Sequence, residues 1–578
     1  MTLQPPPVGK KELVRQLSEA SRLLELLGAD GYRVNAYAGA ARQLDAFSGD
    51  FTELFSARRL TKLRGIGDEL ASEMYALRTQ PRLAVLDELY VQVPGGVRGL
   101  LRISGLGPKK VRLLWLSGIE NIDQLVVAAE DGRVAKLKGF GAKSAKTILE
   151  AAKFAQRAAA RLRLDEAEIL AAAFTAALVQ VLPAATLTWV GELRRTLETV
   201  GTPRALVVGV SANELERGLE TFCEVETVEA GFRVTFAGKT LELVPTPTSA
   251  LGAALVLETG DDAFSAALQE KAAEKGLQLT REGLFRAEER LQAGAETDVF
   301  RFLELPYTPP ERRDVPLGLP AENLVTLKDI RGLVHNHSSW SDGAASLREM
   351  LGAARALGYA YLAMADHSKT SYYANGLSIE RVFAQAKEIG AIRRELEDEG
   401  SDFRVLHGLE VDIMPDGTLD YPDEVLATLD YAVVSVHQHF TLEQTKQTER
   451  IVRAVHNPYA NILAHMTGRL LLRRPSYDVD IEAVLQACAE TGTVVELNAS
   501  PYRLDLDWRK VSRAHELGCR FSVDPDAHHP DGYRDVRYGV QMARKAGLTA
   551  SDVVNTAPTA EAFLARLKAP PDLLGSFS

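Results

Sequence analysis

The sequence predicts a multidomain protein with an all-α N-terminal region, an α+β middle part and a C-terminal distorted barrel of seven β/α units. Three observations carry this prediction: repeated glycine turns before residue 160, isolated β-like runs in the middle, and regular strand–helix alternation after residue 330. At 578 residues the chain is too long for one hydrophobic core, so several domains are expected.

The N-terminal region contains the pattern Leu/Ile-x-Gly-x-Gly three times, at 63–67, 103–107 and 137–141. Each copy is followed by a polar or basic patch and by an Ala- and Leu-rich pattern with helical spacing. Because glycine permits tight turns and ends helices, the repeat predicts short helices joined by glycine turns.

The middle part combines a long uncharged run, 169–190, with β-like runs at 205–210, 232–236 and 240–244. Gln180, Pro183 and Thr186 interrupt the long run, so we expect a helix followed by a strand and no membrane span. A proline-rich stretch then breaks the periodicity and predicts a linker. Its prolines are Pro306, Pro309, Pro310, Pro316 and Pro320.

Seven short apolar runs follow the linker, separated mostly by helical patterns. They lie at 333–334, 361–365, 405–411, 431–436, 461–464, 494–497 and 521–523. Such alternation implies a parallel sheet with helical crossovers. Seven units without an obvious sheet edge favour a barrel.

Charge is unevenly distributed along the chain. Residues 1–160 hold 24 basic and 17 acidic side chains, a net charge of +7, while the remainder carries −18 of a total of −11. A basic segment on an acidic body predicts a polyanionic partner, although basic residues scattered over solvated faces would give the same count. Three widely spaced cysteines without a CxxC pair, and no visible signal peptide, favour a reducing cytoplasm.

Histidine is confined to the barrel segment, since all eleven histidines lie between His335 and His529. Nearly every predicted strand there ends in a candidate metal ligand. In chain order these are His335, His337 and Asp342; Asp366 and His367; Glu410 and Asp412; His437; His465; Glu496; and Asp526 and His528. Parallel barrels carry reactive groups at the carboxyl ends of their strands. We therefore expect these side chains to converge on one rim, whereas a lone histidine would more often be structural.

Mixed His and carboxylate ligands suit Mn²⁺, Zn²⁺ or Fe²⁺. Close metal ions lower the pKa of a bound water and offset charge on phosphate oxygens, so the pattern predicts hydrolysis of a phosphoester. Arg469, Arg473 and Arg474 follow the fifth strand and would hold flanking phosphates. A solvated loop explains these arginines equally well.

The motif order HxH…SDG…DH…E…H…H…DxH resembles the polymerase-and-histidinol-phosphatase (PHP) domain over about 245 residues. The resemblance implies a (β/α)7 barrel with two or three divalent ions, Mn²⁺ foremost and Zn²⁺ or Fe²⁺ as alternatives. The implied sets are His335, His337, Glu410 and Asp526 for one metal, Glu410, His437 and His465 for a second, and Asp342, His367 and His528 for a third. The histidines that match no ligand position are His407, His439, His456, His515 and His529.

The glycine repeats resemble helix-hairpin-helix motifs, in which a glycine turn lets backbone N–H groups approach a DNA phosphate. The implied DNA-binding residues are Gly65, Gly67, Gly105, Gly107, Lys109, Lys110, Gly139, Gly141 and Lys143, with Lys146 nearby. One glycine pair would be weak evidence. Three of them on the basic part of the chain predict DNA binding without sequence preference.

These modules, the mixed middle part and the C-terminal PHP domain together resemble the bacterial family X DNA polymerases over essentially the whole chain. The segments 32–37 and 305–307 are part of the resemblance. It implies a nucleotidyltransferase-like palm and thumb, and the following boundaries: an N-terminal helical domain with the first hairpin at 1–90, a fingers-like region at 91–162, a palm-like domain at 163–265, a thumb-like domain at 266–310, a linker at 311–329 and the PHP domain at 330–578.

The palm-like segment departs from that family. Members carry a Gly-Ser that helps to bind the triphosphate, a Gly-Asp-x-Asp whose carboxylates hold two Mg²⁺ ions, and a third Asp on a neighbouring strand. Here Glu192 replaces the Ser, Thr202 and Arg204 replace the paired aspartates, and Glu242 replaces the third. Because Arg204 puts a positive charge where Mg²⁺ would bind, and Glu192 would repel the triphosphate, we expect a degenerate polymerase site.

Four functions remain open from the sequence. They are a DNA exonuclease with a relic palm, a working repair polymerase with a proofreading or end-cleaning exonuclease, a histidinol-phosphate-type phosphatase, and a non-catalytic DNA scaffold. Other carboxylates, such as Glu214, Glu216 or Asp261, are the candidates for rebuilding a metal site in the palm of a working polymerase. We predict the first, a cytoplasmic, monomeric DNA repair enzyme; the 3′→5′ direction is implied only by the family. Its partners would be primer–template, gapped or 3′-ended DNA; dNTP binding is left open and no membrane is expected.

Overall fold

The computed structural model describes residues 9–45, 47, 51–319 and 321–568. The chain divides into two compact units, Met1–Ala160 and Arg161–Ser578. Pro320 of the predicted linker, and the ends of the first and last predicted domains at 1–8 and 569–578, lie outside the described residues.

The described part of the first unit is helical, as predicted. Its α-helices are α1 (Lys10–Leu27), α2 (Gly31–Asp45), α3 (Phe51–Ser56), α4 (Asp68–Tyr75), α5 (Ala84–Gln92), α6 (Gly95–Leu100), α7 (Pro108–Leu116), α8 (Ile122–Glu130), α9 (Arg133–Lys136) and α10 (Ala142–Ala159). Leu13, Leu17 and Leu24 of α1 recur at helical spacing and are buried in one apolar core with Leu89 and Leu114.

The second unit begins with the α+β part that the sequence predicted. Its elements are β1 (Leu162–Arg163), α11 (Leu164–Val181), β2 (Thr186–Val190), α12 (Gly191–Arg194), β3 (Thr199–Val200), β4 (Arg204–Val208), α13 (Ala212–Leu219), β5 (Glu224–Val228), β6 (Gly231–Phe236), β7 (Lys239–Pro245), α14 (Leu251–Thr259), α15 (Asp262–Glu274), β8 (Gln278–Thr280), β9 (Gly283–Arg286), β10 (Glu289–Arg290) and α16 (Glu296–Phe302). The main sheet has the order β2-β4-β7-β6-β5, in which only β4 and β7 run parallel.

The barrel strands follow the seven predicted runs. The elements are β11 (Gly332–Asn336), α17 (Leu347–Ala356), β12 (Tyr361–His367), α18 (Ile379–Asp398), β13 (Arg404–Asp412), α19 (Asp423–Leu426), β14 (Tyr431–Ser435), α20 (Gln444–Val455), β15 (Ile462–Leu463), α21 (Ile481–Thr491), β16 (Val494–Asn498), α22 (Trp508–Glu516), β17 (Phe521–Asp524), α23 (Val536–Ala546) and α24 (Ala560–Leu564). The sheet runs from β11 to β17 in sequence order, and every neighbouring pair is parallel.

The seam between β17 and β11 is nearly closed. The His337 backbone N–H donates to the Ala527 carbonyl at 2.9 Å. At the other end of the seam, the buried amide of Asn555 donates to the carbonyls of Gly332 at 3.1 Å and Val523 at 2.8 Å. The predicted distorted (β/α)7 barrel is therefore confirmed, with one side chain completing the seam.

The α+β part and the barrel share a hydrophobic core within the second unit. Leu504, Trp508 and Tyr538 from the barrel segment pack into the same buried cluster as Leu164 and Phe174 of α11. At the predicted linker, Arg313 is completely buried and Glu311 lies 2.7 Å from Arg544. The boundaries assigned to the individual domains stay predictions.

Among the described helices, none combines the length and the apolar character needed to cross a bilayer. Cys223, Cys488 and Cys519 are all free thiols.

Candidate functional site

The nine side chains predicted as metal ligands meet at the carboxyl end of the barrel strands. They are His335, His337, Asp342, His367, Glu410, His437, His465, Asp526 and His528. They form four overlapping groups, and in each group the ligand atoms lie within 4.8 Å of one another. Parallel strands all end at the same rim, which explains how residues far apart in the chain converge here.

Glu410 occupies the middle of the cluster. Its Oε1 lies 3.1 Å from His437 Nε2 and 2.8 Å from His465 Nε2. Its Oε2 lies 2.9 Å from His367 Nδ1 and 3.4 Å from His335 Nε2. The two oxygens of one buried carboxylate therefore face different imidazoles, so each oxygen can serve a different metal position.

Asp342 lies at the edge of the cluster and also faces imidazole rings. Its Oδ1 lies 3.2 Å from His528 Nε2 and 3.6 Å from His367 Nε2. His337 belongs to the same group, and its Nε2 is also 3.2 Å from Asp526 Oδ1. His337 thus lies between the sets that the sequence resemblance assigned to the first and third metals.

The geometry also regroups the set that was assigned to the second metal. Glu410 lies together with His335 and His465 in one group, and with His367 and His437 in another. The nine residues converge as expected, while their assignment to individual ions stays a prediction.

Several buried ring nitrogens lack a partner in hydrogen-bond geometry among the described residues. They are His335 Nε2, both ring nitrogens of His337, His367 Nδ1 and His465 Nδ1. Leaving a buried polar atom unpaired costs about 1–3 kcal/mol, so this concentration indicates that a ligand completes the site. Neutral imidazole nitrogens carry lone pairs, and these rings gather around shared carboxylates, which fits a divalent cation.

Electrostatics favours the ligand form of His337 and Glu410, whereas nearby carboxylates outweigh burial and raise the pKa of His437 to about 10 and that of His528 to about 9. Burial, together with the charges of His528 and His367, lowers the pKa of His337 to about 3, so its ring is neutral and able to bind a metal. The surrounding histidines, His437 and His367 foremost, hold the pKa of Glu410 well below its usual range despite the burial that opposes this. The site therefore combines a neutral imidazole with an ionised carboxylate.

Three of these residues also have a rare backbone conformation. His335, His465 and Asp526 have φ values of 58°, 25° and 52°, a left-handed region that non-glycine residues rarely adopt. Such conformations recur at functional sites, where the surrounding structure enforces them. In the Ser-Asp-Gly motif, a Cβ on Gly343 would lie 2.6 Å from the His337 carbonyl oxygen, so only glycine fits beside the ligand.

Two further carboxylates orient ligand rings from behind. Glu496 Oε1 lies 2.5 Å from His335 Nδ1, and its other oxygen accepts the His465 backbone N–H at 2.7 Å. Asp412 lies 2.9 Å from His437 Nδ1. A carboxylate on one ring nitrogen fixes the ring and leaves the other nitrogen for the metal.

A third buried carboxylate, Asp366, holds the loop that carries Asp342. It accepts hydrogen bonds from the hydroxyl groups of Ser338 at 2.9 Å and Ser341 at 2.6 Å, and from Gln385 at 2.6 Å. Burial raises the pKa of Asp366, and these hydrogen bonds oppose that rise. Asp366 therefore places the loop without being a ligand itself.

The palm carboxylates have a different set of partners. Arg204 lies opposite Glu242 on the parallel strands β4 and β7. Its Nη1 is 3.0 Å from Glu258 Oε2, and Arg281 Nε is 2.5 Å from the other oxygen of Glu258. Arg233 Nη2 in turn lies 3.5 Å from Glu242 Oε1. Each carboxylate in this part of the palm faces a permanent cation.

The carboxylate of Glu192, also in the palm, has two hydrogen-bond partners. Its Oε2 accepts the Gly201 backbone N–H at 2.7 Å and an Arg161 N–H at 2.9 Å. Thr202 lies exposed in the adjoining loop. Because Arg161 pairs with Glu192, this carboxylate closes a local turn, and its charge is partly offset rather than free to repel a triphosphate.

The three glycine repeats of the first unit form the same turn. The backbone N–H groups of Ile66, Leu106 and Phe140 donate to the carbonyls three residues earlier, at 3.0–3.2 Å. The first glycine of each repeat is left-handed: Gly65, Gly105 and Gly139 have φ values of 83°, 82° and 91°. The second glycines, Gly67, Gly107 and Gly141, precede α4, α7 and α10 as N-caps.

The side chains that follow these turns differ. Lys109 is exposed at the start of α7, and Lys143 is exposed at the start of α10. Lys110 is half-buried and donates to the Gly105 carbonyl at 3.2 Å. Helix α4 instead begins with Asp68 and Glu69. The second and third turns therefore present basic helix N-termini, whereas the first presents an acidic one.

Four family models match the chain. They are a helix-hairpin-helix domain over residues 8–79, a SAM-like helix-hairpin-helix tandem over 97–153, a DNA polymerase beta thumb over 254–314 and a PHP domain over 334–500. A protein of Bacillus subtilis (strain 168) named "DNA polymerase/3'-5' exonuclease PolX" is 33% identical over 580 residues, which span 96% of this chain and 99% of the relative.

The chain belongs to the bacterial family X DNA polymerases with a C-terminal PHP domain. The PHP part of this family X chain has more distant relatives as well. A probable phosphatase of Thermoanaerobacter sp. (strain X514) is 32% identical over 166 residues, 26% of this chain and 64% of that relative. The family predicted from the motifs is confirmed over nearly the whole length.

Three carboxylates that support the barrel centre were not part of the predicted ligand set. Asp366, Asp412 and Glu496 were recognised as strand-end candidates, yet their roles depend on their partners in the fold. Asp412 and Glu496 contact ring nitrogens of ligand histidines, whereas Asp366 holds the loop of Ser338 and Ser341. That information is absent from the sequence. Asn555 of the seam carried no signal at all, because a single asparagine far from the motifs has no distinctive pattern.

The arginines predicted at the rim also separate into two kinds. Arg469 donates a hydrogen bond to Asp507 at 2.7 Å and further hydrogen bonds to backbone carbonyls. Arg473 is exposed, and Arg474 uses two of its nitrogens on the Gly468 carbonyl. Arg503, which the sequence analysis did not single out, lies 3.3 Å from Asp526 Oδ2.

Proposed function

We propose that the barrel rim is a metal-dependent phosphodiesterase that removes nucleotides from the 3′ end of DNA, and that the palm no longer transfers nucleotides. The observation that carries the proposal is the convergence of nine ligand-type side chains, in which five buried ring nitrogens of four histidines have no hydrogen-bond partner among the described residues. The name of the Bacillus subtilis relative, which includes a 3′-5′ exonuclease, supports the direction of cleavage.

The metal set would be held by the nine residues described above, and Mn²⁺ is the ion we favour over Zn²⁺ and Fe²⁺. Bound divalent ions would lower the pKa of a coordinated water and offset negative charge on the phosphate. Glu410 would serve two neighbouring positions through its two oxygens. Glu496 and Asp412 would keep His335 and His437 in the required ring orientation.

The reaction is a hydrolysis. A water oxygen bonds to the phosphorus of the terminal phosphodiester, and the bond between that phosphorus and the 3′ oxygen of the preceding nucleotide breaks. The leaving 3′ oxygen takes up a proton, which leaves a shortened strand with a 3′-hydroxyl and a free 5′-mononucleotide. Arg503 and Asn498 both contact Asp526 Oδ2, so Oδ1 stays directed at the imidazoles during this step.

The helix-hairpin-helix turns supply DNA binding in this proposal. Their open glycines give a phosphate access to backbone N–H groups, and Lys109 and Lys143 add charge at two of the three turns. DNA with 3′ ends, gaps or primer–template junctions is the expected partner. A monomeric state and a cytoplasmic location stay predictions.

A second function, template-directed polymerisation, is favoured by family membership and by the "DNA polymerase" in the name of the Bacillus subtilis relative. The Arg204–Glu258 and Arg233–Glu242 pairs speak against it. A guanidinium cannot lose its charge, so a Mg²⁺ ion would have to displace it from each carboxylate.

The proposal is tested by product analysis. A 5′-labelled single-stranded oligonucleotide is incubated with Mn²⁺, and the products are separated by length and by chromatography of the released mononucleotides. We expect a ladder that shortens from the 3′ end and 5′-mononucleotides in solution. Turnover of a small phosphate monoester with no shortening of the oligonucleotide would instead assign the barrel to a phosphatase.

A further inference from the structure

The barrel loop between β16 and α22 packs against the palm on both sides of Arg503. The residue before it, Tyr502, has the Arg163 guanidinium of β1 over its ring, 4.0 Å from the centroid. The residue after it, Leu504, is buried in the core cluster that the barrel shares with α11. Arg503 itself lies 3.3 Å from Oδ2 of the predicted metal ligand Asp526. Two palm contacts therefore flank the residue that reaches the ligand.

A chain of charged hydrogen bonds connects the same loop to the palm. Glu198, in the palm loop before β3, lies 2.5 Å from Arg509 Nη1. Arg509 Nη1 is 3.0 Å from Asp507 Oδ1, and the other oxygen of Asp507 accepts from Arg469 Nη1 at 2.7 Å. Arg469 Nε then donates to the backbone carbonyl of Arg503 at 3.0 Å. The chain thus runs from a palm carboxylate to the backbone of Arg503.

Most members of this chain are shielded from water. The side chains of Glu198, Arg469 and Asp507 are 10%, 12% and 24% exposed. Burial acts to raise the pKa of Asp507, but Arg469 and Arg509 outweigh burial and lower that pKa. The chain therefore alternates negative and positive groups, and partly buried pairs of this kind are weakly screened by salt.

The orientation of Asp526 depends on Arg503. Oδ2 of Asp526 faces Arg503 and accepts from Asn498 Nδ2 at 3.1 Å, while Oδ1 lies 3.2 Å from His337 Nε2. The backbone φ of Asp526 is 52°, a conformation that the surrounding structure has to maintain. A displaced Arg503 would release one oxygen of the carboxylate and so change the direction of the other.

We propose that the palm positions Arg503 through Glu198 and Arg509, and thereby holds Asp526 in its metal-binding orientation. Glu198 and Arg509 are then positioning residues, because among the described residues neither forms a hydrogen bond or ion pair with a metal ligand. The palm would thus support the barrel centre without transferring nucleotides. The inference rests on the proposed function for its cleavage readout, whereas Mn²⁺ binding tests it independently.

The test measures Mn²⁺ binding to the full-length protein without DNA, by electron paramagnetic resonance of the free ion. Arg503→Ala should weaken binding by about 10–100-fold, as is typical of residues that orient a ligand. Glu198→Gln keeps the side-chain shape and removes the charge, so Arg503 is displaced rather than lost. We expect a weakening of about 3–10-fold. Cleavage of a 5′-labelled oligonucleotide at limiting Mn²⁺ should fall by the same factors and should recover at saturating Mn²⁺.

The double variant Glu198→Gln/Arg503→Ala separates positioning from a general loss of structure. If Glu198 acts through Arg503, the double variant should bind Mn²⁺ as weakly as Arg503→Ala alone and no more weakly. Arg509→Ala breaks the same chain at a side chain that is 48% exposed. It should match Glu198→Gln, and it replaces that variant if the substitution at the buried Glu198 impairs folding.

Glu168→Gln is the matched control, because Glu168 also joins the palm to the barrel segment. Its Oε2 lies 2.6 Å from Arg537 Nη2 and accepts from the Tyr538 hydroxyl at 2.9 Å. In the described part of the chain, these three side chains form no hydrogen bond or ion pair with a predicted metal ligand. Glu168→Gln should therefore bind Mn²⁺ as the wild-type protein does.

Unchanged Mn²⁺ binding in both Glu198→Gln and Arg509→Ala would overturn the positioning role. Additive losses in the double variant, or an equal loss in Glu168→Gln, would also overturn it, because the palm would then stabilise the barrel only in general. Tighter binding by Arg503→Ala would show that the guanidinium competes with the metal, which contradicts the inference as well. The expected Mn²⁺ pattern without any shortening of the oligonucleotide would contradict the proposed function alone. If the wild-type protein binds no Mn²⁺, both are wrong.

Discussion

The carboxylates of the barrel centre and those of the palm are surrounded by opposite kinds of neighbour. In the barrel, Glu410 and Asp342 face imidazoles, whose ring nitrogens can be neutral ligands. In the palm, Glu242 and Glu258 face guanidinium groups, which are always charged. Imidazole neighbours can coordinate a metal ion together with the carboxylates, whereas guanidinium neighbours occupy the carboxylates as counter-charges. The comparison therefore indicates that the neighbours of a carboxylate decide whether it can serve in a metal site.

The largest expected effect is at the barrel. The variant Asp526→Asn removes a ligand oxygen while keeping the shape of the side chain. Cleavage of a 5′-labelled strand in Mn²⁺ should fall by more than the ~10–100-fold typical of residues that only orient a ligand. The matched palm variant Glu242→Gln should cleave at the wild-type rate. The comparison fails if Glu242→Gln loses cleavage and Asp526→Asn keeps it.

A smaller loss of cleavage is expected when Glu496, the carboxylate that contacts His335, is replaced. In the variant Glu496→Gln the ring of His335 loses its charged partner, and cleavage should fall by about 10–100-fold. Part of the loss should be recovered at higher Mn²⁺, because the change weakens metal binding and leaves the ligands in place. Rate measurements over a Mn²⁺ titration check this. A loss that no Mn²⁺ concentration reduces would argue against an orienting role.

Metal binding should also raise the thermal stability of the folded protein. A ligand that binds only the folded state at a hundred times its Kd stabilises it by about 2.7 kcal/mol. Mn²⁺ should therefore raise the Tm of the wild-type protein and of Glu242→Gln, and EDTA should reverse the rise. The variant His337→Ala/Asp526→Ala should show a much smaller response. An equal response in all three would place the metal elsewhere.

The palm should respond to loss of a cation through its stability. In Arg204→Ala, the nearly buried Glu258 loses its partner at 3.0 Å but keeps Arg281. We expect a decrease of about 1–2 kcal/mol in the free energy of unfolding and no change in cleavage. Urea denaturation, with Arg233→Ala at the more exposed pair as control, measures the effect. A more stable Arg204→Ala protein that binds Mg²⁺ would show that the arginine masks a working site.

The smallest effects are expected at the hairpin turns. Removing one phosphate contact lowers the slope of log K against log salt by about 1. Lys109→Ala and Lys143→Ala should each show this decrease in DNA binding, whereas Asp68→Ala at the acidic first turn should not. Fluorescence anisotropy over a salt series is the measurement. Unchanged slopes in both lysine variants would exclude these turns as the phosphate contacts.

The sequence predicted the fold and the location of the barrel centre because both depend on short-range patterns. Apolar runs mark the strands, and ligands at strand ends must share a rim once the strands are parallel. The sharing of His337 between groups could not be predicted, because it depends on side-chain distances across the barrel. The partners of the palm carboxylates were hidden for the same reason: Arg281 and Glu258 meet only in the folded chain.

The most direct test of the account uses a 5′-labelled primer annealed to a template, with Mn²⁺ and all four dNTPs. The wild-type protein is compared with His337→Ala/Asp526→Ala, in which the barrel centre is disabled and the palm is unchanged. The account predicts that the wild-type protein only shortens the primer and that the variant leaves it intact. A primer that the variant lengthens would show that the palm still transfers nucleotides and would contradict the account.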